Sequence, residues 1–161
     1  MAYKIPQSVL VVIHTPALDV LLLRRAGSAD PAVAHWQSVT GSKDSEDEPW
    51  HATAAREVRE ETGIDAHASG CVLRDWGIEN EYDIWPAWRH RYAPGVVRNR
   101  ERIFSLCVPV GTPVVLSPRE HLEWRWLPRL EAVDWCFSPS NAEALLMLPH
   151  CLAALAEGDK T

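Results

Sequence analysis

Three carboxylates crowd the segment Arg56-Glu57-Val58-Arg59-Glu60-Glu61. On a helix, Glu57, Glu60 and Glu61 stand at i, i+3 and i+4 and share one face. Acidic groups that close repel one another unless a cation lies between them. Taken alone, the segment reads as a solvated acidic face with an Arg56–Glu60 pair. The alternative is a site for a hard cation. Mg²⁺ takes oxygen ligands and favours a few carboxylates together with substrate phosphates. Such an ion neutralises charge on a phosphate chain, orients a water and lowers its pKa. A carboxylate not used as a ligand can then accept the proton.

The surrounding residues predict the helix that this chemistry needs. Pro49 suits a first helical position, because its missing N–H is unpaired there anyway. Asp47 or Glu48 can cap the free N–H groups before it. Ala52, Ala54, Ala55 and Val58 favour or tolerate helix, and Gly63 is a natural stop. Val58 and Ala55 point away from the glutamates, toward a core.

The whole stretch Gly41 to Ile64 resembles the box of the Nudix family, G-x5-E-x7-R-E-U-x-E-E-x-G-U with U aliphatic. Glu48, Arg56, Glu57, Val58, Glu60, Glu61, Gly63 and Ile64 fit that pattern. One departure is an extra residue: six, not five, separate Gly41 from Glu48. It falls in the loop before the helix. The resemblance implies an α/β fold, an α/β/α sandwich with a mixed sheet and the box as loop–helix–loop. It implies Mg²⁺ or Mn²⁺ held by Glu57 and Glu61, with Glu60 as a third ligand or acting through water. Arg56 would orient the glutamates by salt bridge. A further carboxylate from outside the box is expected as ligand or base; Glu120 is the first choice, ahead of Glu131 and Asp134.

Further segments narrow the resemblance to one branch. Tyr3–Pro6 (YKIP), Trp36–Ser42 (WQSVTGS), Arg89–Asn99 (RHRYAPGVVRN) and Glu120–Leu122 (EHL) resemble the dihydroneopterin triphosphate diphosphatases of bacterial folate synthesis. The similarity runs roughly from Tyr3 to Leu146. It implies a small-molecule triphosphate substrate, 7,8-dihydroneopterin triphosphate, split to the monophosphate and pyrophosphate. Matching positions imply substrate contacts at Lys4, Arg25, Thr40, Tyr82, Asp83, Ile84, Trp85 and Ser138. Trp85 can stack on a flat pterin or belong to the core. The basic turn Arg89–Asn99 suits phosphate oxygens or a solvated hairpin end. Two rivals stay open: a broad (deoxy)nucleoside triphosphate pyrophosphatase, and an inactive nucleotide-binding sensor. The second is disfavoured by the retained box glutamates.

Composition sets the frame for these residues. The chain has 161 residues, 47% hydrophobic and 24% charged, which suits one globular domain over 1–161. A net charge of −6 discourages nucleic-acid and membrane partners. Oligomeric state is left open. Cys71, Cys107, Cys136 and Cys151 are widely spaced, as expected of reduced thiols in a cytoplasmic protein. Met1 to Gln7 has no signal-peptide pattern, and the apolar run Val9–Ile13 is too short to span a bilayer.

Apolar runs predict strands at Ser8–Thr15, Ala17–Arg25, Trp36–Thr40, Cys71–Glu79, Ile84–Tyr92, Arg102–Val110 and His121–Leu127. The last should be half-buried through Leu122, Trp124 and Trp126. A polar loop is expected over 26–34 and a short helix at Pro128–Val133. Ser140-Asn141-Ala142-Glu143 reads as a capping box opening a final helix. Pro149 should kink or break that helix, and its tail after Leu155 should fray.

Overall fold

The computed structural model describes residues 2–27 and 34–158. Strands β1 (Gln7–His14), β2 (Asp19–Arg25), β3 (Trp36–Gln37) and β4 (Val39–Ser42) precede helix α1 (Trp50–Thr62). Then follow β5 (Val72–Asp83), a 3₁₀ turn (Pro86–Arg91), β6 (Arg98–Cys107), β7 (His121–Pro128), α2 (Arg129–Trp135) and α3 (Pro139–Gly158). The expected loop 26–34 falls mostly outside the described residues.

One mixed, seven-stranded sheet runs β3-β2-β1-β6-β5, with β4 on β1 and β7 on β2. Strands β1 and β6 are parallel and the other pairs antiparallel. The run Val9–Ile13 is continuously apolar because both faces of β1 are covered. Val9, Val11 and Ile13 meet Ala54 and Val58 of α1. Leu10 and Val12 meet Ala132 of α2 and Leu145 and Leu148 of α3. This is the expected α/β sandwich.

The sheet parts where the site lies. Strand β4 pairs β1 through Ser8–Val11, whereas β2 meets it at His14. Both occupy the same side of β1, so a gap opens between β4 and the far end of β2.

Several local expectations give way. Ile84–Tyr92 is no strand: Pro86 has no N–H for a ladder, and the chain turns in 3₁₀ form with Arg89 Nε donating to Ile84 O at 3.0 Å. Trp36–Thr40 divides at Ser38, whose N–H and hydroxyl are taken by the Asn141 side chain. Helix α3 starts at Pro139 instead of after Ser140. Ser138 is its cap, accepting from Asn141 N at 3.4 Å, and proline fills the first position. The helix is also unbroken at Pro149 and continues to Gly158. Pro149 cannot donate to Leu145 O, and Arg129 Nη1 does so from α2 at 3.2 Å. Finally, β7 is a strand, yet Leu122 and Trp124 are exposed and His121 is buried. A bulge between Arg24 and Arg25 sets that register, pairing Arg25 with His121.

Candidate active site

Helix α1 delivers the box glutamates. Gly63 ends it in the left-handed conformation, φ 72°, donating to Arg59 O. Its start differs from expectation: Pro49 is the cap residue, the helix begins at Trp50, and no side chain caps it. Glu48 is engaged elsewhere. Both its oxygens bind Arg56, from Nε and Nη2, each at 3.0 Å, and Thr53 donates to Oε1 at 2.6 Å. The Arg56 fork holds the Glu48 carboxyl down to about 2. The extra loop residue therefore leaves Glu48, not Asp47, on Arg56, although Asp44 Oδ2 also lies 3.1 Å from Nε.

Arg56 is the hub. Nη1 reaches Glu57 at 3.0 Å and Glu60 at 3.3 Å, and Nη2 donates to Ser42 O at 2.9 Å. One guanidinium thus fixes the helix to the loop and to two of its own carboxylates. Of the three α1 glutamates, Glu60 alone is open to solvent. Glu57 is mostly covered and Glu61 is 3% exposed. Gly41 of β4 closes over Glu57 so tightly that a Cβ there would fall on the carboxylate. Burial drives the Glu57 carboxyl up to about 7 despite Arg56, and drives Glu61 well above its usual range, aided by Glu57 and Glu120.

Glu61 points toward β7. Its carboxylate, that of Glu120 and the His121 ring offer atoms all within 4.8 Å of one another. His121 Nε2 lies 3.5 Å from Glu61 Oε1. Glu61 Oε2 and both ring nitrogens of His121 are buried without a hydrogen-bond partner. Burial, then the charge of Arg25, pushes His121 down to about 4, so its ring is neutral at physiological pH. An unsatisfied carboxylate oxygen and a neutral imidazole beside other carboxylates are a donor set that fits a divalent cation.

A cationic rim faces these acids. Lys4 hydrogen-bonds through its backbone to Arg91 O at 2.8 Å and bridges to Tyr92. Burial and then the charges of Arg91 and Arg25 lower its ammonium pKa, against the pull of Glu57 and Glu61. Trp88 lies between two guanidinium groups, 5.3 Å from Arg25 and 5.8 Å from Arg91. Trp85 stands 6.2 Å from Trp88 and is strongly exposed.

The structure thus gathers Arg56, Glu57, Glu61, Glu120, Lys4 and Arg25 into one charged neighbourhood, with Glu60 at its edge. Thr40 belongs with them through its backbone, which hydrogen-bonds Glu61. The other expected contacts are spread out. Tyr82 accepts from Asn99 at 2.9 Å, Asp83 pairs with Arg98 at the surface, Ile84 is buried, and Ser138 caps α3. Glu131 and Asp134 are exposed on α2, across the sheet from α1. His121 and Arg91 entered the sequence reading only inside the Glu120–Leu122 segment and the basic turn Arg89–Asn99, and Trp88 not at all. A histidine directly after Glu120 was the one available signal for the first.

Comparisons with known proteins show relatives of the chain and of its fold. A dihydroneopterin triphosphate diphosphatase from Escherichia coli K12 is 42% identical over 144 residues, covering 89% of this chain and 91% of that protein. One from Haemophilus influenzae is 39% identical, covering 90% and 88%. The solved E. coli dihydroneopterin triphosphate pyrophosphohydrolase superposes with a TM-score of 0.78 at 41% identity, over 90% of this chain and 95% of that one. The NUDIX domain profile matches residues 4–148, the span that carries the sheet, the box helix and Glu120. With that match over most of its length, the chain belongs to the Nudix family.

Proposed function

We propose that this chain is a pyrophosphohydrolase dependent on Mg²⁺ or Mn²⁺ that converts 7,8-dihydroneopterin triphosphate to dihydroneopterin monophosphate and pyrophosphate, as one domain in the cytoplasm. The observation that carries the metal-dependent chemistry is the buried Glu61, whose Oε2 has no hydrogen-bond partner and whose carboxylate lies within 4.8 Å of Glu120 and His121. The substrate rests on the names and close similarity of the relatives. Glu57, Glu61 and Glu120 would hold the cation, with Glu60 at the exposed margin. When bound, the cation screens phosphate charge and lowers the pKa of a water.

The chain's own residues supply the rest. Arg56 keeps Glu57 and Glu60 in place. Lys4, Arg25 and Arg91 bind phosphate oxygens, for which charged forks are well suited. Glu120, the exposed member of its cluster, completes the ligand set or takes the proton from the attacking water. Trp85 and Trp88 offer faces to the flat ring, while Tyr82, Asp83 and Ser138 lie along its approach and Ile84 is too buried to touch it.

The test is product analysis in ¹⁸O-labelled water with dihydroneopterin triphosphate and the common dNTPs. Label should enter the pterin monophosphate, with intact pyrophosphate released. Label in orthophosphate would refute cleavage at the α-phosphorus. Equal kcat/KM on dATP would replace the pterin reading with a broad nucleotide pyrophosphatase.

A further inference from the structure

A second polar group lies on the α3 face of the sheet, and none of the steps above uses it. Glu101 of β6 is 5% exposed and Asn99 2% exposed. Ser140 Oγ donates to Glu101 Oε1 at 3.2 Å. Asn99 Nδ2 donates to Ser8 Oγ at 2.8 Å and to Tyr82 Oη at 2.9 Å, while Asn99 Oδ1 is buried with no partner. Ser8 is paired with Glu101 on one side and with Ser42 of β4 on the other. Thr40 lies two residues before Ser42, on the same face of β4. Ser138 and Ser140 are 2.9 Å apart. The group therefore joins the Tyr82 segment to the Ser138 segment, beyond Thr40 at the split in the sheet.

Its chemistry is that of an acceptor pair. A carboxylate accepts two parallel N–H donors, and the Asn99 carbonyl adds a third acceptor. The 2-amino-4-oxopyrimidine edge of a pterin, shared by guanine, presents a ring N–H beside an amino group. Adenine presents an amino group beside a bare ring nitrogen and fails that match. Resting on the function proposed above, we propose that Glu101, with Asn99, reads the 2-amino-4-oxopyrimidine edge of the substrate and sets ring specificity. Burial pushes the free carboxyl up to about 7, so it gains charge readily when two donors arrive.

The experiment compares hydrolysis of dGTP and dITP, which differ only in the 2-amino group, beside dihydroneopterin triphosphate. The wild-type protein should favour dGTP in kcat/KM by about ten- to a hundredfold, the value of a hydrogen bond to a charged group. Glu101→Gln turns one acceptor into a donor, and the ratio should collapse toward one. A wild-type ratio near one, or a ratio unchanged in a folded Glu101→Gln protein, would overturn the proposal. Glu101 could act only as an anion near the start of α3; that role would change melting temperature and leave the ratio alone. If the Gln variant does not fold, Glu101→Asp, which keeps charge and shortens reach, must lower the same ratio. Absence of pyrophosphate from dihydroneopterin triphosphate, with the dGTP preference intact, would refute the substrate and spare Glu101.

Discussion

Glu57 and Glu61 are buried carboxylates, and burial changes what their substitution should do. A carboxyl raised from an ordinary value near 4.5 to about 7 holds its proton longer in the fold than in the unfolded chain. The native state then binds more protons through that window, so stability without metal falls as pH rises from about 4.5 to 7 and levels off above. A cation competes with those protons. Mg²⁺ should therefore raise the melting temperature more at pH 8 than at pH 5, measured against EDTA. Glu57→Gln removes a buried charge while keeping its volume. Without metal it should be at least as stable as wild type, lose the Mg²⁺-dependent rise, and lose on the order of 10²-fold or more in turnover. Unfolding, or retained activity, would show that Glu57 is not a ligand.

At the scale of elements, two close contacts can be tested. Strand β4 approaches α1 at Gly41, where a Cβ would displace the Glu57 carboxylate. Gly41→Ala should cost about 10²-fold in kcat, as small misplacements of reacting groups do, while circular dichroism stays native. A fully active variant would mean the helix can shift without harm. In α3, Pro149 frees the carbonyl of Leu145 and Arg129 accepts the task of satisfying it. Pro149→Ala should stabilise the protein by about 1–3 kcal/mol in urea unfolding. Arg129→Met should cost about 1 kcal/mol in wild type and clearly less in the Pro149→Ala background. Additive effects would dismiss the coupling.

Across the whole molecule, the split between β2 and β4 lets acids from α1 and from Glu120, just before β7, face cations from three distant segments. Lys4 comes from before β1, Arg25 from the end of β2 and Arg91 from the 3₁₀ turn. Burial, then the charge of Arg25, lowers the His121 pKa and keeps that ring neutral beside Glu61. Arg25→Met should thus raise KM for the triphosphate and lower kcat/KM about ten- to a hundredfold. The same variant should relax the downward push on His121, visible as a rise in its NMR titration midpoint. A KM unchanged from wild type would remove Arg25 from the phosphate site. Among the described residues no helix is long and apolar enough to cross a membrane.

Local order reports what lies close in sequence. The i, i+3, i+4 spacing put three carboxylates along α1, Gly63 marked its end, and the apolar runs of β1 and β2 marked strands. Those features depend on neighbours within one turn or one strand. The resemblance of the Gly41–Ile64 box and of the flanking segments supplied the sandwich and the choice of Glu120. Tertiary structure decided which glutamates are solvated, because burial depends on strands that pack from elsewhere: Glu60 looks out while Glu61 is sealed under β7. It decided the first residues of β7, where a bulge pairs His121 with Arg25 and brings its ring to Glu61 and leaves Leu122 exposed, while Trp126 stays packed against the core. It also decided that α3 survives Pro149, since the compensating donor sits on another helix. The buried group at Asn99 and Glu101 was invisible for the same reason. Nothing in a strand's own sequence says that a polar pair on it will meet the start of a helix some forty residues later.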